Sequence, residues 1–253
     1  MMNYPQATDE HVEFFRLHGY LVVKDAIDLR EIQLLDEACR EILRRKGELA
    51  NDWAWEKGKT KEQRSFKIVQ ANPGSVIPKI AELEFRRWTA TFASSLLGQP
   101  VAFWYDQYLA KPPFDGAETY WHQDEGYWGK NLDDKGITCW MPFHDVDEAN
   151  GCMHFIDHGH RDGILIHTRP DHIKSDLLVC EPDTSRTVVC PIKRGDVTFH
   201  HGKTPHMTTA NLSNQWRQAI TTHMSAQGAT FGNFYPWYVG VDQRNPDKHL
   251  EAK

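Results

Sequence analysis

From Val101 onward the chain falls into short apolar or alternating runs: "VAFWYDQYLA", "TYWHQDEGYW", "ITCWMPFHDV", "CMHFI", "TVVC", "DVTFHH" and "QAITTHM". Gly, Pro, Asp and Asn separate them. Short runs of this kind, bounded by turn residues, read as strands. Seven short strands at irregular spacing, after a helical start, predict an all-β barrel or a double-sheet jelly roll.

The start is helical by a different pattern. Thr8 can cap a short helix whose first turn holds Asp9 and Glu10, and Gly19 stops it. "YLVV" follows as a strand. Asp28 and Glu31 stand at the spacing of a capping box. Leu29, Ile32, Leu35, Ala38 and Ile42 then recur at helical spacing up to Gly47. A third helix is predicted from about Pro78 to Leu97, with Gly98 as its stop. No break in composition divides the chain. The expectation is one domain over residues 1–253, with a helical part at about 8–98 packed on a β core at about 101–226.

Charge and composition narrow the partners. The formal net charge is -6, and the basic residues form no run, which speaks against a nucleic-acid partner. No apolar stretch has the length of a membrane span. The N-terminus lacks the basic and apolar regions of a signal peptide, and the C-terminus lacks a peroxisomal address. Five dispersed cysteines with no C-x-x-C pair fit a reducing cytoplasm better than a disulfide framework.

Histidine is the unusual residue, with 14 in the chain. In "TYWHQDEGYW", His122 and Asp124 stand two apart, which on a strand puts both side chains on one face. Imidazole nitrogen and carboxylate oxygen suit a first-row divalent metal. A third ligand is available among His200, His201 and His206. Two histidines and one carboxylate make the facial triad of non-haem Fe(II) oxygenases. The bare motif is weak in so His-rich a chain, and rivals exist. His158 and His160 are also two apart, and Asp145 and Asp147 flank a valine. The "DHGHRDG" stretch reads as a turn, so its histidines are expected to stabilise that turn. His200 and His201 are adjacent, so one at most faces the interior, in a packed or hydrogen-bonded role. Arg217 can face the same interior as His206. A guanidinium grips a carboxylate with two parallel bonds, and a buried one requires an anion. A surface ion pair is the plain alternative.

The order "HQD", "NGCMHFIDHGHR" and "GDVTFHHGKTPHMTTANLSNQWRQAIT" resembles the phytanoyl-CoA dioxygenase family of Fe(II)- and 2-oxoglutarate-dependent oxygenases. The likeness runs from about Gln107 to Met224, and "HGYLVVKD" resembles the family's opening. It implies a double-stranded β-helix, a cupin-like jelly roll flanked by N-terminal helices. It implies Fe(II) held by His122, Asp124 and His206, and 2-oxoglutarate anchored by Arg217 with Thr208 nearby. Lys111, Trp140 and Gln107 match positions that contact the cosubstrate. Asp124 is retained, which favours hydroxylation over halogenation. Where family members read "PGSH", this chain has "IDHGHR", so that turn is expected to differ.

The implied activity is hydroxylation of an unactivated C–H bond in a small metabolite, with dioxygen as co-substrate and succinate and carbon dioxide released. Desaturation, epimerisation or cyclisation with the same cofactors, or a non-catalytic metabolite-binding jelly roll, stay open. Two stretches are lid candidates: residues 50–75 with Trp53, Trp55, Arg64 and Lys67, and residues 125–136 with Tyr127 and Trp128.

Overall fold

The computed structural model describes residues 4–44, 68–114, 118–128, 136–168 and 178–226, without side chains for 68–71 and Trp128. Helix α1 (Asp9–His18) is capped as expected. Thr8 accepts from the His11 backbone, and Gly19 closes the helix at φ 80, a left-handed turn that glycine takes without strain. Strand β1 (Tyr20–Val23) follows, then α2 (Leu29–Arg44).

The expected capping box at α2 does not form. Asp28 accepts from the Arg30 backbone at 2.7 Å, but Glu31 turns away from its own helix. Its carboxylate instead accepts the backbone N–H groups of Glu84 and Phe85. This explains a second correction. The helix predicted from Pro78 to Leu97 is broken into α4 (Pro78–Ala81) and α5 (Phe85–Leu97), preceded by β2 (Ile68–Ala71) and a short α3 (Pro73–Val76). A carboxylate from another helix caps the first free N–H groups of α5, so the chain begins a new helix there.

The remaining strands are β3 (Val101–Lys111), β4 (Thr119–His122), β5 (Gly136–Pro142), β6 (Met153–Ile156), β7 (Thr187–Cys190), β8 (Val197–His201), β9 (His206–Thr208) and β10 (Arg217–Ala226). A five-residue helix α6 (Asp124–Trp128) follows β4. Two antiparallel sheets result, ordered β1-β8-β5-β10-β3-β2 and β4-β9-β6-β7. This is the mainly β jelly roll expected of the sequence. One refinement is that the N-terminal segment supplies an edge strand: β1 pairs with β8 outside the predicted core range.

Strands β5, β8 and β10 of the six-stranded sheet are buried on both faces, and strand alternation sorts their residues. One face points to the helices. Tyr108, Ala110, Ile137, Cys139, Met141, Val197, Phe199, Ile220 and Met224 pack there against Ile32, Leu35, Ile42, Phe85 and Phe92. The other face points into the roll, where Trp140 and Ala219 join Tyr20, Met153 and Phe155 of a second cluster. The same inward face carries Lys111, Gln107, Thr138, His200, Arg217 and His223, all buried. The interior of the roll therefore sets polar groups beside an apolar cluster.

Candidate metal centre

His122 ends β4 and pairs directly with His206, the first residue of β9. Their rings lie 4.2 Å apart. Asp124 reaches the same point by a route the sequence did not foretell. The run "TYWHQDEGYW" is a strand only to His122. Gln123 leaves the ladder, and Asp124 opens α6. Strand alternation therefore does not aim the carboxylate. The turn is held by Gln123, whose amide nitrogen donates to the carbonyls of Gly163 and Lys203 and whose amide oxygen accepts from Leu165. Ligand atoms of His122, Asp124 and His206 all fall within 4.8 Å of one another.

The proton positions follow from the neighbours. His122 Nδ1 faces the Tyr120 carbonyl at 2.8 Å, and His206 Nδ1 faces the Thr204 carbonyl at 3.0 Å. Carbonyl oxygens only accept, so each Nδ1 carries the proton and each Nε2 presents its lone pair inward. Burial lowers the His122 imidazole to about 4 and holds His206 well below the usual histidine range. Both rings are neutral at physiological pH, the form that ligates. Burial pushes the Asp124 carboxyl up, but the imidazoles of His206, His200 and His223 outweigh it and hold the group well below the usual carboxylate range. Two inward lone pairs and one ionised carboxylate fit a divalent iron.

One oxygen of Asp124 is already engaged. Oδ2 accepts from the Thr138 hydroxyl at 2.6 Å and lies 3.2 Å from His200 Nε2. Oδ1 is 3.7 Å from His206 Nε2. Because the Thr138 proton goes to Asp124, its oxygen accepts from His223 Nδ1 at 2.9 Å. His223 Nε2 then lies 3.3 Å from the Gln107 amide, a contact that requires the amide nitrogen to donate. Gln107 thus sits at the far end of a relay behind Asp124. The family resemblance implies a place beside the cosubstrate for the same side chain, and this contact with His223 does not exclude it. Thr138 and His223 were missed altogether: a threonine and a histidine inside apolar strands carry no local signal. His200 takes the inward, hydrogen-bonded role expected of it. His201 faces the opposite side of β8 and is also buried, 5.7 Å from the His160 ring.

Arg217 begins β10, opposite Lys111 of β3. It is 2% exposed, and its Nε and Nη1 have no hydrogen-bond partner among the described residues. Burial lowers it to about 10, which still leaves it charged. The guanidinium carbon lies 5.8 Å from the Trp140 ring centre. Lys111 Nζ donates to Thr208 Oγ1 at 2.8 Å and to the carbonyls of Thr208 and Thr209. It ties the large sheet to β9 of the small one. Asn211 donates to the carbonyls of Lys111, Pro112 and Gln215, and so shapes the turn that delivers Arg217. A buried guanidinium with unpaired N–H groups is costly unless an anion joins it. The distal carboxylate of 2-oxoglutarate is such an anion.

Asp145 and Asp147 resolve as surface and turn chemistry, and His158 and His160 lie outside the roll, away from His122, Asp124 and His206. Asp145 pairs with Lys193 at 2.8 Å, and Asp147 accepts from the Ala149 backbone. His158 and His160 face the carbonyls of Leu17 and Arg16 and do not meet each other's metal-facing atoms. Tyr127 is fixed: its hydroxyl accepts from Leu178 N at 2.7 Å, and its ring stands edge-on to His122 at 5.9 Å. Trp53, Trp55, Arg64 and Lys67 lie outside the described residues, as does the Trp128 side chain.

Comparison with known proteins decides the family. The model of the family "Phytanoyl-CoA dioxygenase (PhyH)" matches residues 15–219. The chain belongs to the phytanoyl-CoA dioxygenase family. Its members are Fe(II)- and 2-oxoglutarate-dependent oxygenases, and iron and 2-oxoglutarate are their cofactors. The chain is 29% identical over 136 residues to phytanoyl-CoA dioxygenase domain-containing protein 1 of Bos taurus, covering 51% of this chain and 47% of that protein. It thus spans about half the length of that relative. It is 24% identical to phytanoyl-CoA dioxygenase 1 of Oryza sativa subsp. japonica, over 86% of this chain and 88% of that one. The fold matches EvdO2 from Micromonospora carbonacea var. aurantiaca, complexed with 2-oxoglutarate (TM-score 0.73, 23% identity, 94% and 98% of the two chains). It also matches SnoK, an α-ketoglutarate-dependent carbocyclase from nogalamycin biosynthesis (TM-score 0.72, 24% identity, 100% and 94%).

Proposed function

We propose that this phytanoyl-CoA dioxygenase family member hydroxylates an unactivated C–H bond of a small metabolite, using Fe(II), 2-oxoglutarate and dioxygen. The observation that carries the reading is the pairing of two features inside one roll. His122, Asp124 and His206 converge within 4.8 Å, and Arg217 is buried in the same roll with unpaired N–H groups.

When bound, iron and 2-oxoglutarate together would turn dioxygen into an oxidant able to break a C–H bond, while the 2-oxoglutarate is split to succinate and carbon dioxide. The chain's own residues do the rest. Nε2 of His122 and of His206 and one oxygen of Asp124 would hold the metal on one side, leaving the other side open. Thr138 keeps the second oxygen of Asp124 occupied, so the carboxylate is presented end-on. Arg217 would grip the distal carboxylate, with Trp140 beneath it and Thr208 held alongside by Lys111. Phe155 packs against His200 and His206 and keeps water from the inner side. Tyr127 forms a fixed wall on the outer side of His122.

Among the described residues no helix is long and apolar enough to cross a membrane. All five cysteines are buried and unpaired, which supports a reducing, cytoplasmic setting. The test is anaerobic addition of Fe(II) and 2-oxoglutarate, which should develop a visible charge-transfer band, followed by air and a panel of metabolites. Substrate-stimulated succinate with a product heavier by one oxygen supports hydroxylation. A product lighter by two hydrogens, or of equal mass, assigns desaturation, cyclisation or epimerisation. Absence of both band and succinate leaves a binding protein.

A further inference from the structure

The turn "IDHGHR", where the chain departs from its family, plays no part in the site inside the roll. It meets the end of α1 instead. His18 Nδ1 lies 2.6 Å from Asp157 Oδ1, and His158 Nε2 lies 3.4 Å from Asp157 Oδ2. The two imidazole rings are 4.9 Å apart. Ligand atoms of all three residues fall within 4.8 Å of one another, as they do at the inner site. The three are half-buried, with side chains 23%, 27% and 37% exposed for His18, Asp157 and His158, so an ion can reach them from solvent.

The hydrogen bonding of His158 is informative. Its Nδ1 lies 2.7 Å from the Leu17 carbonyl, which can only accept, so that nitrogen carries a proton. In the neutral ring Nε2 is then a bare lone pair, and it faces a carboxylate. That nitrogen and the carboxylate oxygen are both acceptors until a second proton or a cation comes between them. The backbone holds this arrangement at φ 58, a left-handed conformation that a side-chain-bearing residue rarely keeps without compensation. His158 N also donates to the His18 carbonyl at 3.2 Å, which fixes the two histidines relative to each other. A cation among the three groups would take the His158 lone pair and the carboxylate together, in place of the proton that His18 Nδ1 and Asp157 Oδ1 share at 2.6 Å.

We propose that His18, Asp157 and His158 form a second metal site, on the outside of the roll, for a borderline divalent ion of the zinc class. Two imidazoles and one carboxylate, with water completing the shell, suit Zn²⁺. The site has a structural consequence. Gly19, the residue after His18, accepts through its carbonyl from His201 N at 2.9 Å and from Thr204 Oγ1 at 2.7 Å. The Thr204 carbonyl in turn accepts from His206 Nδ1. A metal that pins α1 to the 157–158 turn therefore braces the hairpin that orients His206. The proposal is independent of what the inner site binds.

The test is metal stoichiometry on the full chain, stripped with a chelator and titrated with Zn²⁺ against a chromophoric competitor. The key variant is His158→Gly, because glycine accepts φ 58 without strain and should fold at least as well as the native chain in the absence of metal. Asp157→Asn is the second variant. Wild type should bind one more equivalent of Zn²⁺ than either variant, and Zn²⁺ should raise its Tm by more. If the inner site also takes Zn²⁺, the counts are two and one; if it does not, they are one and zero. Equal stoichiometry in wild type and His158→Gly would overturn the proposal.

Discussion

The Thr138 hydroxyl donates to Asp124 Oδ2 across 2.6 Å, while Oδ1 of the same carboxylate faces His206. The two oxygens are thereby made unequal before any metal arrives. Thr138→Val should keep the shape of the site and remove the donor. Metal affinity is expected to fall about 10–100-fold, as is usual when a ligand's hydrogen-bond partner is lost. Thr138→Ser should recover most of it. Anaerobic Mn²⁺ or Fe²⁺ titration distinguishes the three proteins.

Arg217→Ala should weaken 2-oxoglutarate far more than iron. Loss of a charge-assisted contact costs about 1.5–3 kcal/mol, on the order of a 10- to 100-fold rise in cosubstrate KM. A KM that stays within twofold of wild type would move the anchor elsewhere. The same structure makes a less obvious prediction for Arg217→Met. Without cosubstrate the native guanidinium is buried and unpaired at Nε and Nη1, so the methionine variant should be as stable as wild type or more so by urea denaturation.

Glu31 caps a helix to which it does not belong. Glu31→Ala should cost about 1–2 kcal/mol, the usual magnitude for a lost cap, and Glu31→Gln should cost less because its amide oxygen still accepts. A denaturation midpoint in the alanine variant equal to wild type would show that the α5 terminus is satisfied otherwise.

Asp106 is fully buried against Arg86, and burial raises its carboxyl to about 6 even though Arg86 pulls the other way. The folded state therefore holds this proton more tightly than the unfolded chain does. Its contribution to stability is greatest below about pH 4 and is lost as pH rises through 6, on the order of 2–3 kcal/mol in all. Comparing wild type with Asp106→Asn by urea denaturation from pH 4 to 7 isolates it. The difference between the two should shift against wild type as pH rises, and a pH-independent difference would contradict the assignment.

The strands were legible because their punctuation is local: "YLVV" and "TVVC" are strands to the residue. His122, Asp124 and His206 were picked out by residue type and by family resemblance, and the structure brings them together. The reason given for Asp124 was wrong, since a helix start positions it. What stayed hidden depends on partners far along the chain. Nothing near Glu31 announces that it serves Phe85, and nothing near Thr138 announces Asp124 or His223. Polar residues on β8 and β10 are buried on both faces of the large sheet, so those aimed into the roll do not stand out in the sequence from those aimed at the helices.

Strand β10, which Arg217 opens, runs between β5 and β3 in the middle of the six-stranded sheet. Arg217 pairs with Lys111 of β3, and two residues on, Ala219 pairs with both β3 and β5. The grip on a small diacid proposed for Arg217 would thus be anchored in the middle of the sheet. Whatever lets relatives of this architecture accept different guests must be written in the connections at the mouth of the roll, where a sequence can drift without disturbing the hold beneath.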